Sequence, residues 1–179
     1  MKTLLAAALS LSVLGAGSAS AQPKPAPTLK SILLEQLKTS HNKQEWFVPA
    51  SRAVEGLTLE QAVWKQGENH SIAQLVNHLT FWDKQQLMKF KAEQPPSFSG
   101  NNEETFSQPK DKQSWDAAVK QMDEVMTGWE QAVESADDAK LQSWYSTIAH
   151  IGTHNAYHTG QILYIRKQQG SWDPAKGVK

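Results

Sequence analysis

The chain has 179 residues, in which 18 basic and 18 acidic side chains balance and cysteine is absent. Lacking cysteine excludes disulfides, thiolate metal sites and cysteine nucleophiles together, and leaves any metal to nitrogen or oxygen ligands. With no basic excess to neutralise phosphates, nucleic acid is excluded as an expected partner.

In chain order, Met1-Lys2 gives a positive start, Leu4 to Leu14 is apolar apart from serines, and small residues end in Ala19-Ser20-Ala21. That pattern reads as a cleaved leader over residues 1–21, because the apolar run is shorter than the about 20 residues a bilayer span requires. The expectation is an exported protein, periplasmic or secreted, with a mature chain from Gln22 and no later span. Removing 21 of 179 residues leaves 158, enough for one domain with a full core. Residues 22–28 are a proline-rich linker, residues 29–174 the helical domain and residues 175–179 a tail.

A first helix is expected from Leu29 to about Lys43, with Thr28 as cap. Residues 46–70 are mixed, with a short helical turn after Thr58. Ser71 and Gln74 form a capping-box pattern for a second long helix, Ile72 to Lys91, stopped before Pro95-Pro96. One side of it carries Ile72, Leu75, Val76, Leu79, Asp83, Leu87 and Phe90. Residues 95–110 read as loop. Ser114 starts a third long helix, Trp115 to Glu134, and Ser135 to Lys140 read as a connection. The last helix runs from about Trp144 to Gln169, with Gly170 as its stop. Four long amphipathic segments without strand alternation predict an all-α four-helix bundle with long connections, one or two of them crossovers. Seven scattered tryptophans suggest a core rich in large side chains.

The six histidines are His41, His70, His78, His150, His154 and His158. Residues four apart on a helix lie one above another, so His154 and His158 can aim two imidazoles at one ion. On a helical wheel with His150 at zero they fall at about 40° and 80°, within the stripe of Thr147, Ile151, Gln161, Ile162 and Ile165 between about 20° and 120°. That stripe reads as core-facing, with His150 at its edge. A buried imidazole pair needs a shared partner; a metal and a pair of hydrogen-bonded core histidines both supply one. A third ligand would come from another helix, and His78 is best placed. His150 is the competitor, as an alternate ligand, an outer group or a solvent-facing residue. His41 and His70 read as end-of-helix polar residues.

The segment His154-Asn-Ala-Tyr-His158-Thr-Gly-Gln161 through Arg166 to Gly170, with the earlier His70-Ser71-Ile72 and Asn77-His78-Leu79, resembles the signature of the DinB/YfiT-like metalloprotein family. The resemblance covers most of residues 29–174. It implies a four-helix bundle with an unusual connection order and a divalent ion held by one histidine of the second helix and two of the last: here His78, His154 and His158. Family members differ in activity, and some transfer low-molecular-weight thiols.

Gly160, inside a helix, suggests close packing against a neighbour, since glycine there costs about 1 kcal/mol relative to alanine. Gln161 could bond a ligand imidazole or bridge helices, Asp83 could be an outer acid or a buried polar contact, and Arg166 reads as a surface ion pair. Three imidazoles leave open positions on an ion, which acidifies water, polarises an oxygen or holds a thiolate. The expected cofactor is therefore one divalent ion, zinc, nickel or iron, with a small-molecule partner of unknown identity and a homodimer left open. The functional alternatives are a metal-dependent hydrolase or thiol transferase and a non-catalytic metal-binding helical module. Haem chemistry would lack a C-x-x-C-H attachment site.

Overall fold

The computed structural model describes residues 26–177. The leader read over residues 1–21 lies outside the described residues, as do most of the linker and the last two residues. Six α-helices and no strands occur among the described residues: α1 Leu29–His41, α2 Ala50–Val54, α3 Leu59–Val63, α4 Ile72–Phe90, α5 Lys112–Ser135 and α6 Asp138–Gln168. Two 3-10 turns, Asn102–Thr105 and Pro174–Lys176, complete the chain. The all-helical expectation holds, and no described helix is long and apolar enough to cross a membrane.

Local chemistry sets most boundaries. Thr28, Thr58 and Ser71 each accept a backbone N–H of the first turn, and each is closed reciprocally by the side chain three residues on. Helix α5 starts earlier than expected, because Asp111 is the cap and Ser114 is its third residue. Asp137 caps α6, which begins at Asp138, six residues before the expected start, so the connection shrinks to Ala136-Asp137. Gly170 does end α6. It adopts φ 72°, its N–H reaches Lys167 O, and that of Ser171 reaches Arg166 O, the paired bonds of a Schellman stop.

Helices α1 and α4 each pack along both α5 and α6. The apolar core falls into two clusters. Ile72, Leu75 and Val76 of α4 meet Trp115, Met122 and Met126 of α5 and Ile162 of α6. Leu87 and Phe90 of α4 meet Val125, Trp129 and Val133 of α5, Ile148 and Ile151 of α6, and Leu33, Leu34 and Leu37 of α1. Hence α4 and α5 run in the same direction and α6 runs against them. Parallel neighbours need a return strap, and residues 91–111 provide it as a crossover.

That strap is held by a polar stripe on α4. Gln85 Nε2 donates to Pro96 O, Trp82 Nε1 to Asn102 Oδ1, Asn77 Nδ2 to Ser107 O, Gln74 Nε2 to Phe106 O and Ser71 Oγ to Gln108 Oε1. Residues spaced three and four apart share a helix face, so the stripe pins the strap along almost the whole of α4.

Between the clusters lies a buried polar layer. Asp83 of α4 and Asn155 and Thr159 of α6 are at most 2 % exposed, and Asn155 Nδ2 donates to Asp83 Oδ2 at 2.8 Å. Asp83 is thus the buried polar contact of the two readings. The buried face of α6 also includes Ile148, Gly152, Ile162 and Arg166, which centres it near 150° on the wheel of 100° steps, further round than the expected stripe. The apolar pattern misled because small and polar residues, Gly152, Asn155 and Thr159, occupy core positions.

Other expectations are corrected. Only Trp115 and Trp129 of the tryptophans are fully buried, and Trp46 is 91 % exposed. His41 is buried, with Nδ1 2.6 Å from Glu130 Oε1 and Nε2 2.9 Å from Asp123 Oδ1; both carboxylates come from α5, where sequence distance hides them. Arg166 is buried too. Its guanidinium donates to Ala53 O, Glu55 O and Ser171 O, at 2.7, 3.1 and 2.7 Å, collecting carbonyls at the end of α2 and just past the end of α6. Arg166→Met should therefore lower unfolding stability by roughly 2–4 kcal/mol, since bonds to a charged donor are worth about 1.5–3 kcal/mol and buried carbonyls would be orphaned. A urea midpoint within error of the parent, at equal slope, would contradict this.

Candidate metal centre

Helix α4 supplies His78 and helix α6 supplies His154 and His158. One ring nitrogen from each lies within 4.8 Å of the other two, a geometry that could hold a metal ion. The Nε2 atoms of His154 and His158 are 3.1 Å apart. His78 is 4 % exposed, His158 is 7 % exposed and His154 is half-buried. Because the buried face of α6 is rotated from the expected stripe, the two α6 histidines sit at its margin. The cluster is therefore sealed on the core side and open on the other.

The far sides of two rings are fixed. Thr105 Oγ1 donates its only hydrogen to Asn102 O at 2.6 Å, so it must accept from His78 Nδ1–H, also at 2.6 Å. Gln161 Nε2 donates to Tyr157 Oη, which leaves Oε1 to accept from His158 Nδ1–H at 2.6 Å. Both bonds place the hydrogen on Nδ1 and leave the Nε2 lone pair free, the arrangement that orients ligating imidazoles. Of the two readings for Gln161, a bond to an imidazole of the cluster, that of His158, is the one present.

Thr105 and Phe106 were not singled out by the sequence. They lie in the stretch read as loop, and the strap carries them to His78. Phe106 stacks flat between His78 and His70, with ring centroids 4.0 and 3.8 Å away. The polar stripe of α4 was the available signal that something lies over it. His70 is consequently half-buried, not a free helix-end residue.

Electrostatics match neutral rings. Burial, reinforced by the neighbouring histidines, pushes His78 down from 6.5 to about 4. Burial and His158 push His154 down to about 4. Burial also lowers His158, against the opposing bond from Gln161. Over the rings opens a cavity of about 650 Å³, whose walls include Trp82, Phe106, Asn102, Thr147 and His150. His150 is exposed at its rim, one turn beyond His154.

Fold and site together define an all-helical protein with a three-histidine cluster suited to a divalent ion. A family model described as the DinB superfamily matches residues 50–162, more than half of the chain. The chain belongs to the DinB superfamily. No curated protein and no solved structure gives a match.

Proposed function

We propose that this is an exported DinB-superfamily protein that holds one divalent ion through His78, His154 and His158 and uses it as a metal-dependent hydrolase or transferase. The observation that carries the reading is the convergence of three imidazoles on the floor of an open cavity, two of them with Nδ1–H already committed to Thr105 and Gln161. The donor set fits: imidazole nitrogens kept neutral by burial suit zinc, nickel or iron. A divalent ion on three neutral imidazoles supplies Lewis acidity at positions the protein leaves open. The chain's residues do the rest. Thr105 and Gln161 orient the rings, Phe106 and Trp82 give the cavity aromatic walls, and His150 stands at its rim within reach of a bound molecule. Export is part of the proposal and rests on the leader pattern of residues 1–21.

A second reading, a non-catalytic metal-binding module, is favoured by one observation: no aspartate or glutamate lines the cavity among the described residues. The metal-loaded protein should be assayed on ester, amide and thiol-acceptor substrates. Turnover that disappears in His78→Ala, with helical content retained, is the expected result. No turnover on any substrate class, with a melting temperature that falls on chelation, would leave only the module.

A further inference from the structure

Further along α6 toward its C-terminus, where it faces residues 64–70 and next to the histidine cluster, lies a second cavity of about 540 Å³. Its walls carry three aromatic side chains, Trp64, Tyr157 and Tyr164, and one carboxylate, Glu68. Tyr157 and Tyr164 are each 63 % exposed, large rings that the fold leaves uncovered. Amide side chains of Gln66, Asn69, Gln161 and Gln168 and the His70 imidazole complete the polar part. No lysine or arginine lines it among the described residues; Lys65 and Lys167 are sequence neighbours of its walls but lie outside it.

Gly160 is the second observation. The sequence suggests that it permits close helix packing, but a Cβ there would meet nothing within 4 Å, and its φ is not positive. Neither packing nor backbone conformation requires glycine, although glycine inside a helix costs about 1 kcal/mol relative to alanine. What glycine does achieve is space, because position 160 lines this cavity between the two tyrosines.

We propose that this cavity is a binding site for an organic cation with an apolar body, an alkylammonium or a similar amine, held against Trp64, Tyr157 and Tyr164 and countered by Glu68. Aromatic faces attract cations through their quadrupole, and desolvation strengthens the attraction. A lone carboxylate with no competing lysine or arginine in the lining selects the same sign. An anion would find no cationic partner here except His70, whose ring is stacked on Phe106 and 3.4 Å from Glu103. The cavity shares Gln161 with the histidine cluster, whose His158 that side chain bonds, but none of Trp64, Glu68 and Tyr164 touches the cluster's nitrogens.

The probe is benzyltrimethylammonium, titrated into the full chain by calorimetry or ligand-observed NMR, with benzyl alcohol and benzenesulfonate as neutral and anionic controls of similar shape. Saturable binding of the cation is expected, at least tenfold tighter than either control. Gly160→Leu, whose Cβ would meet nothing within 4 Å, adds bulk at the cavity wall and should weaken cation binding tenfold or more, at an unchanged or raised melting temperature. Tyr164→Ser, at an exposed position, should weaken it likewise, and Glu68→Gln should cost the cation severalfold and the neutral control nothing. No saturation in the parent, equal binding of the anion, or parental affinity in both Gly160→Leu and Tyr164→Ser would each overturn the proposal. Failure of catalysis or of metal loading would leave these results untouched, so the two readings fail separately.

Discussion

Purified protein should carry about one divalent ion per chain, and the His154→Ala/His158→Ala double variant should carry none after dialysis against the same metal solution. Removing two of three ligands leaves His78 alone, which cannot hold an ion against water. The orienting bonds give a graded version of the test. Thr105→Val keeps the shape of the side chain and removes the oxygen that accepts His78 Nδ1–H. Loss of such an outer partner lowers metal affinity about 10–100-fold, which competition with a chromophoric chelator would read directly. The effect depends on where the hydrogen sits: Thr105 spends its own on Asn102 O and can only accept from the ring. Full metal occupancy in the double variant would remove the assignment of the ligands, and parental affinity in Thr105→Val would remove the account of their orientation.

Stability should fall as pH rises from about 4 to about 7, and Asp83→Asn should abolish that part of the fall. Burial raises the Asp83 carboxyl from 3.8 to about 7, against the opposing bond from Asn155. The folded state therefore holds a proton that the unfolded chain has released. Stability from this group is fully present below about 3.8, declines as pH rises through about 7, and is flat beyond. At about 1.4 kcal/mol for each pK unit, the decline reaches roughly 4 kcal/mol. The hydrogen bonding points the same way. Asp83 Oδ1 and Asn155 Oδ1 are both buried without a partner, while Asn155 Nδ2 already donates to Asp83 Oδ2. A proton on Asp83 supplies the missing donor for this oxygen-rich pair. Asparagine at position 83 offers the same donor and acceptor at every pH, so the stability difference between parent and variant should be constant below about pH 4 and grow toward pH 7. Denaturant melts at several pH values would measure it. A difference independent of pH would show that Asp83 is charged when folded.

Both expectations depend on residues that differ in how far the sequence revealed them. His154 and His158 were legible because a four-residue spacing on a helix is a local geometric fact. The helix starts at Ser71 and Thr28 were legible for the same reason, since a cap and its third residue lie within one turn. The Gly170 stop needed only a residue tolerant of positive φ. Asp111 and Asp137 were passed over as caps because nearby serine or apolar residues offered an equally plausible start.

What the amino-acid order determined by itself was the all-helical class, the long elements and the His154–His158 pair, because each depends on contacts within a few residues; His78 was named from its mid-helix place and the family resemblance. Tertiary structure alone decided which face of α6 is buried, that a strap brings Thr105 to His78, that Glu130 and Asp123 enclose His41, and that Asp83 meets Asn155. Those partners are 27 to 89 residues apart in sequence. Their pairing follows from helices of fixed direction packed side by side, and such long-range neighbours leave no periodic trace in the chain.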